Sequence, residues 1–238
     1  ELKVTPYKLS VTTGDLNEIY DGQPHDNYSF KLSDQPEDFV FSADRFGNTE
    51  LAQITDYGTK PNKFAVVATL GGIDVTENFE ITYNYGTLSI AKREITVVTG
   101  GLNEVYNGGE QYNAAYAGIA GKGLVLGHSL SVDKLCTVTD VTEAGGAPNT
   151  TTYRVNDGER DVTDNYQITY ENGKLIITPR HINVTTVTPE AHVYDASEFF
   201  DAEYTTTRAD MAGEGLLNGD RLKLKGEPAS ITNVGSVP

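Results

Sequence analysis

Asp161-Val-Thr-Asp-Asn-Tyr-Gln-Ile-Thr-Tyr-Glu-Asn-Gly-Lys-Leu-Ile-Ile-Thr-Pro-Arg180 decides how this chain is read, because it is present twice. Its earlier copy is Asp74-Val-Thr-Glu-Asn-Phe-Glu-Ile-Thr-Tyr-Asn-Tyr-Gly-Thr-Leu-Ser-Ile-Ala-Lys-Arg93, 87 residues upstream. Within the block Tyr166, Ile168 and Tyr170 alternate on one face, and so do Leu175 and Ile177. Alternation with period two is the signature of a half-buried strand. Asn172-Gly173 lies between the two runs, and Asn-Gly is the preferred pair for a type I′ turn. Residues 166–178 therefore read as a β-hairpin, with Tyr85-Gly86 as its poorer counterpart upstream.

A second element also recurs. Lys8-Leu-Ser-Val-Thr-Thr-Gly-Asp-Leu-Asn-Glu-Ile-Tyr-Asp-Gly22 returns as Arg93-Glu-Ile-Thr-Val-Val-Thr-Gly-Gly-Leu-Asn-Glu-Val-Tyr-Asn-Gly108. It returns more loosely from Arg180 to Ala196. Tyr20 to Tyr106 is 86 residues and Tyr106 to Tyr194 is 88. A fixed period makes each copy one structural unit. The expected organisation is residues 1–7 as the final strand of a preceding repeat, 8–92 as repeat 1, 93–179 as repeat 2 and 180–238 as an incomplete repeat 3. A period also moves expectation from enzyme to array, since a catalytic site is built once and a spacer or adhesive surface many times.

β-Branched and aromatic residues dominate, turn signals arrive about every 8–12 residues, and no window carries helical apolar spacing. The glycine-rich Gly118–Gly127 segment is a poor helix former. The expected class is all-β, as tandem immunoglobulin-like antiparallel β-sandwich repeats of about 87 residues. The chain lacks the Cys–Trp–Cys core of antibody domains, having one Cys and no Trp. β-Grasp-like units are the runner-up and would require a helix.

The junctions carry a further signal. Leu88 and Ile90 give way to Ile95 and Val97, Leu175 and Ile177 to Ile182 and Val184, and Leu2 and Val4 to Leu9 and Val11. Each step is seven residues, from 88 to 95, 175 to 182 and 2 to 9. An odd step reverses the buried face of a strand. The last strand of one repeat should thus run straight into the first of the next, switching face at Ala91-Lys92, Thr178-Pro179 or Thr5-Pro6. No flexible Ser/Gly linker intervenes, so the expectation is a stiff, elongated, monomeric array.

The formal net charge of -16 disfavours nucleic acid and anionic membrane surfaces as partners. Cys136 alone excludes an intrachain disulfide and reads as an apolar strand position. His25, His128, His181 and His192 do not fall at metal-ligand spacing, and no nucleophile elbow or phosphate loop is present. The carboxylates around Asp157, Asp161 and Asp164 are candidate calcium ligands. The competing reading is a turn locked by Asx side-chain hydrogen bonds, which explains why Asp-Val-Thr-[Asp/Glu]-Asn recurs. No cofactor is otherwise expected.

Together Ile95-Thr-Val97, Tyr106-Asn-Gly108, Leu124-Val-Leu-Gly-His128, Thr139-Asp140 and the Asp161–Ile177 block make a frame that resembles the MBG-type repeats of Gram-positive bacterial cell-surface proteins. Repeat 1 departs from it around Pro36-Glu-Asp-Phe39, where the Leu-x-x-Gly-[His/Asp] element is missing. The resemblance implies a non-catalytic extracellular stalk or spacer in an adhesin, wall-anchored or secreted, projecting a binding region from the cell wall. Two alternatives stay open. The repeats themselves could bind host glycan, mucin or matrix protein, or they could be accessory repeats of a secreted enzyme.

Overall fold

The computed structural model describes residues 1–45, 52–208 and 213–236. The described chain is almost wholly β, arranged in several small sheets, with no α-helix. Two one-turn 3-10 helices, Thr76–Asn78 and Thr163–Asn165, occupy the same place in the two copies of the Asp-Val-Thr block. The chain divides into two compact units. One gathers Glu1–Val98, Gly118–Asp133 and Thr152–Glu171, and the other Thr99–Ala117, Lys134–Thr151 and Asn172–Pro238.

In repeat 1 the strand Tyr7–Thr13 lies parallel to Phe79–Asn84, with Leu9 opposite Ile81 and Thr12 opposite Asn84. Both strands then bend and pair again, as Leu16–Ile19 parallel to Thr87–Ala91, with Leu16 opposite Leu88. The offset is 72 residues on each side of the bend, so one ladder passes through it in register. Phe30–Leu32 and Gly58–Pro61 add antiparallel edges to the two halves. A further antiparallel sheet joins Phe39–Ala43, Val66–Leu70 and Ile73–Asp74.

The expectation of purely antiparallel pairing is therefore corrected to mixed sheets. Repeat 2 uses the same parallel pairs, Arg93–Thr99 with Tyr166–Glu171 in the first unit and Leu102–Val105 with Lys174–Thr178 in the second.

The hairpin expected over residues 166–178 does not form. Tyr166–Glu171 and Lys174–Thr178 belong to different sheets. Neither Asn172 nor Gly173 has the positive φ that a type I′ turn demands. Gly173 serves a different purpose. A Cβ there would lie 2.5 Å from the Thr99 carbonyl oxygen and 2.6 Å from that of Gly100. Only a residue without a side chain lets the two bends nest this closely. Gly86 repeats the arrangement in the first unit, 2.5 Å from the carbonyl oxygens of Thr13 and Gly14.

The face switch is present at the first junction. Thr87–Ala91 buries its even positions, Leu88 and Ile90, and Arg93–Thr99 buries its odd ones, Ile95, Val97 and Thr99. Lys92 alone separates the strands. The switch keeps Ile90 and Ile95 in one apolar cluster with Tyr20, Val97, Tyr153, Val155, Val162 and Tyr166. Core packing thus runs across the sequence boundary between repeats. A second cluster around Leu9, Val11, Phe64 and Val66 fills the body of repeat 1. At the next junction Leu175 and Ile177 are buried, whereas Val184 is exposed. Residues 1–6 form no strand, and Leu2 and Val4 are exposed.

Candidate functional site

Two repeated polar constructions stand out, a clasp at each strand bend and a seam where consecutive repeats meet. In the first unit Thr13 Oγ1 donates to the Asn62 carbonyl at 2.8 Å and accepts from Gly86 N at 2.9 Å. The Asn62 amide nitrogen donates to the carbonyls of Gly14 (2.9 Å) and Asn27 (2.7 Å). In the second unit Thr99, Gly100, Asn113, Asn149 and Gly173 repeat every one of these bonds, between 2.8 and 2.9 Å. Bending a ladder frees backbone carbonyls, and a buried carbonyl left without a donor is costly. The buried asparagine carboxamide supplies the missing donors.

The two clasps differ at one atom. Asn149 Oδ1 accepts from Thr151 N at 3.2 Å and Thr151 Oγ1 at 2.7 Å. Repeat 1 has Phe64 at the matching position, and Asn62 Oδ1 is buried without a hydrogen-bond partner.

The seam between repeats 1 and 2 lies inside the first compact unit. Asp56, in the Thr-Asp-Tyr-Gly loop of repeat 1, receives both bonds of a two-oxygen grip from Arg160 Nη2, at 2.7 and 2.6 Å. Asn165 Nδ2 also donates to Asp56, at 3.0 Å, and Asn165 Oδ1 accepts from Tyr57 N at 2.6 Å. The hydrogen bonds to Asp56 hold the Arg160 guanidinium more firmly protonated than usual. Lys92 sits 4.7 Å above the Tyr57 ring, a cation–π contact at the junction residue itself.

Beside this polar patch is an aromatic one. Tyr20 packs edge-on against Tyr166 at 5.6 Å, and Tyr166 OH pairs with His128 Nδ1 at 2.8 Å and accepts from Val125 N at 3.1 Å. Burial pushes the phenol pKa of both Tyr20 and Tyr166 upward. Within repeat 2, Arg93 donates to the carbonyls of Gly123 (2.7 Å) and Lys122 (2.5 Å).

In the second unit Arg180 takes the place of Arg93. It donates to the carbonyls of Gly215 (3.0 Å), Glu214 (2.6 Å) and Tyr106 (3.2 Å). The side chain of Leu217 stands over Gly108 as that of Val125 stands over Gly22.

The candidate calcium ligands are placed as follows. Asp161 Oδ1 accepts from Thr163 N at 2.9 Å, and its carboxyl is held below the usual range chiefly by the Thr163 hydroxyl. Asp74 is held the same way by Thr76. Asp157 lies opposite Arg160 in the strand pair, and Asp164 is in the exposed part of the 3-10 turn. Among the described residues no group of three or more His, Cys, Asp or Glu side chains could hold a metal ion.

His25 pairs with Asp21 at 2.9 Å and His181 with Glu214 at 3.0 Å. A cavity of about 1060 Å³ lies in repeat 3, lined by Val184, Phe199, Tyr204 and Ile231 together with His192, Asp195 and Ser197. Its polar groups are not arranged for acyl transfer, which needs serine on histidine. Here the Ser197 hydroxyl and His192 Nε2 both bond Asp195, whose carboxyl is lowered to about 2 mainly by Ser197.

Sequence reasoning found the turn lock at Asp161 but not the clasp or the seam. Their available signal was the survival of Thr, Gly and Asn at 86- or 87-residue spacing, as in Thr13/Thr99, Gly14/Gly100 and Asn62/Asn149. Among the described residues no helix is long and apolar enough to cross a membrane. No known family model, curated protein or solved structure matches this chain.

Proposed function

We propose that this chain is a non-catalytic, stiff repeat segment of an MBG-type bacterial surface adhesin, acting as a stalk that holds a binding region away from the cell wall. Each repeat is an immunoglobulin-like sandwich of mixed sheets, and the array is extracellular and monomeric. The observation that carries the reading is the seam. Ile90 and Ile95 share one apolar cluster across the junction, and Asp56 of repeat 1 is gripped by Arg160 and Asn165 of repeat 2. A spacer needs joints that resist bending, and a buried, hydrogen-bonded joint supplies that where a coil linker cannot. The large negative charge keeps such an array soluble at high surface density. Small-angle scattering of the chain tests this reading. An elongated particle is expected, and a compact globule contradicts it.

A second reading, glycan or mucin binding by the repeats themselves, draws on one feature. Tyr85 is exposed, stacks on Tyr83 at 5.7 Å with planes 7° apart, and has Lys63 5.5 Å from its ring. Aromatic faces of this kind stack on sugar rings. Saturable mucin binding that is lost in Tyr85→Ala would favour it over a pure spacer.

A further inference from the structure

The Asp-Val-Thr-[Asp/Glu]-Asn turn is built alike in the two repeats. Thr76 N donates to Asp74 and Thr163 N to Asp161, each at 2.9 Å. Thr76 Oγ1 accepts from Ala68 N and Thr163 Oγ1 from Val155 N, again at 2.9 Å. Val75 N and Val162 N each donate to the facing strand, to Ala68 O and Val155 O, at 2.9 Å. Local geometry is thus the same, but burial is not. Val162, Asn165 and Tyr166 are 2%, 4% and 3% exposed. Their counterparts Val75 and Phe79 are only half-buried, and Asn78 is exposed.

Repeat 1 covers the second copy. Tyr20 lies on Tyr166, and the Asp56–Tyr57 loop lies on Asn165. The first copy lacks such a cover, and apolar side chains crowd its surroundings. Ile73 is 71% exposed and lies opposite the exposed Leu70, which faces Phe39; the rings of Phe39 and of the exposed Tyr7 both meet Phe79. Contiguous exposed apolar residues of this kind mark an interaction surface.

We infer that this end of repeat 1 is a docking face for a further repeat of the same kind. The inference rests on the array reading above and names the partner of its free face. The docked repeat presents a Tyr-[Asp/Asn]-Gly loop to Phe79 and a Thr-Asp-x loop to Asn78. The Asn78 carboxamide then takes the aspartate carboxylate and the following backbone N–H, as Asn165 does with Asp56 and Tyr57. The chemistry differs at one position. Ile73 stands where repeat 2 has Arg160, so the ion pair of the first seam has no counterpart here and this joint is less sensitive to salt.

The test extends the full chain by putting a second copy of Arg93–Pro179 in place of residues 1–6, so that Asp140 and Val141 of the added copy face Asn78 and Ile73. In the extended chain Asn78→Ala should lower Tm as Asn165→Ala does, and Ile73→Lys should do the same. In the unextended chain Asn78→Ala should leave Tm unchanged. Amide exchange over residues 75–79 should slow in the extended chain, which reads the cover independently of any variant. An equal effect of Asn78→Ala in both chains, with unchanged exchange, overturns the inference. So does concentration-dependent dimerisation of the unextended chain that shields the same face, since the occupant is then a second copy. Neither result disturbs the seam between repeats 1 and 2, which Asp56 and Asn165 report separately.

Discussion

Gly173 N donates to Thr99 Oγ1 at 2.9 Å across 74 residues of sequence, and Gly86 N donates to Thr13 Oγ1 at the same distance. The bond ties the bend of one strand to the bend of its parallel neighbour. It forms only because the glycine backbone nests against the threonine carbonyl, and this sets the first prediction.

Gly173→Ala puts a Cβ within 2.5 Å of backbone oxygen, an atom that cannot rotate away. The expected loss is about 2–3 kcal/mol, the range for overpacking a rigid site. Gly158→Ala is the control. That glycine has open space around it but a φ of 58°, so only the left-handed backbone penalty of about 1 kcal/mol applies. Denaturant unfolding of the two variants distinguishes them.

The two clasp asparagines should differ in worth. Asn149→Ala strips donors from the Gly100 and Asn113 carbonyls and also abandons Thr151. Asn62→Ala strips the matching carbonyls but removes an oxygen that already lacks a partner. Asn149→Ala should therefore cost more, by about 1 kcal/mol, the net value of an ordinary hydrogen bond. Amide exchange in the flanking strands measures each locally.

At the seam, the Asp56–Arg160 side chains are half exposed, at 48% and 55%. Solvent screening limits the pair to at most about 1 kcal/mol, and that share should fade in high salt. Asn165→Ala should cost more, because Asn165 is itself buried, and the loss should persist in salt. Thermal unfolding of Arg160→Ala and Asn165→Ala at low and high ionic strength checks both halves.

The Asp161 carboxyl is held low first by the Thr163 hydroxyl and then by the Thr163 N–H. A carboxylate with a lowered folded-state pKa stabilises the fold above its unfolded value, and the contribution is lost as pH falls through the folded value. Thr163→Val should move Asp161 back toward the ordinary aspartate range. Carboxyl carbon chemical shifts across an acid titration give the answer directly, and an unmoved Asp161 would contradict the assignment.

Much of the fold was legible along the chain. The seven-residue step from Leu88 to Ile95 announced the reversal of buried faces at Lys92, because strand alternation makes an odd step unambiguous. The strand pairing was not legible. Asn172-Gly173 carries the composition of a tight hairpin, yet glycine is there for close approach rather than for positive φ, and composition alone does not separate these uses. The parallel partners Tyr7–Thr13 and Phe79–Asn84 are 72 residues apart, and nothing local encodes such a pairing. The clasp was hidden for the same reason, since Thr13, Asn27, Asn62 and Gly86 meet only after the ladder has bent. The seam was half visible. Its Asp-Val-Thr-[Asp/Glu]-Asn turn stood out by recurrence, but the burial of Asn165 beside an exposed Asn78 depends on a neighbouring repeat and not on the motif.

The central claim is that repeats 1 and 2 meet in a packed joint, and residual dipolar couplings test it most directly. Amides of repeat 1 and of the strands Arg93–Thr99, Thr152–Asp157 and Tyr166–Glu171 should fit one alignment tensor, in wild type and at high salt alike. Two distinct tensors on either side of Lys92 would mean that the joint bends freely, and the account would fail.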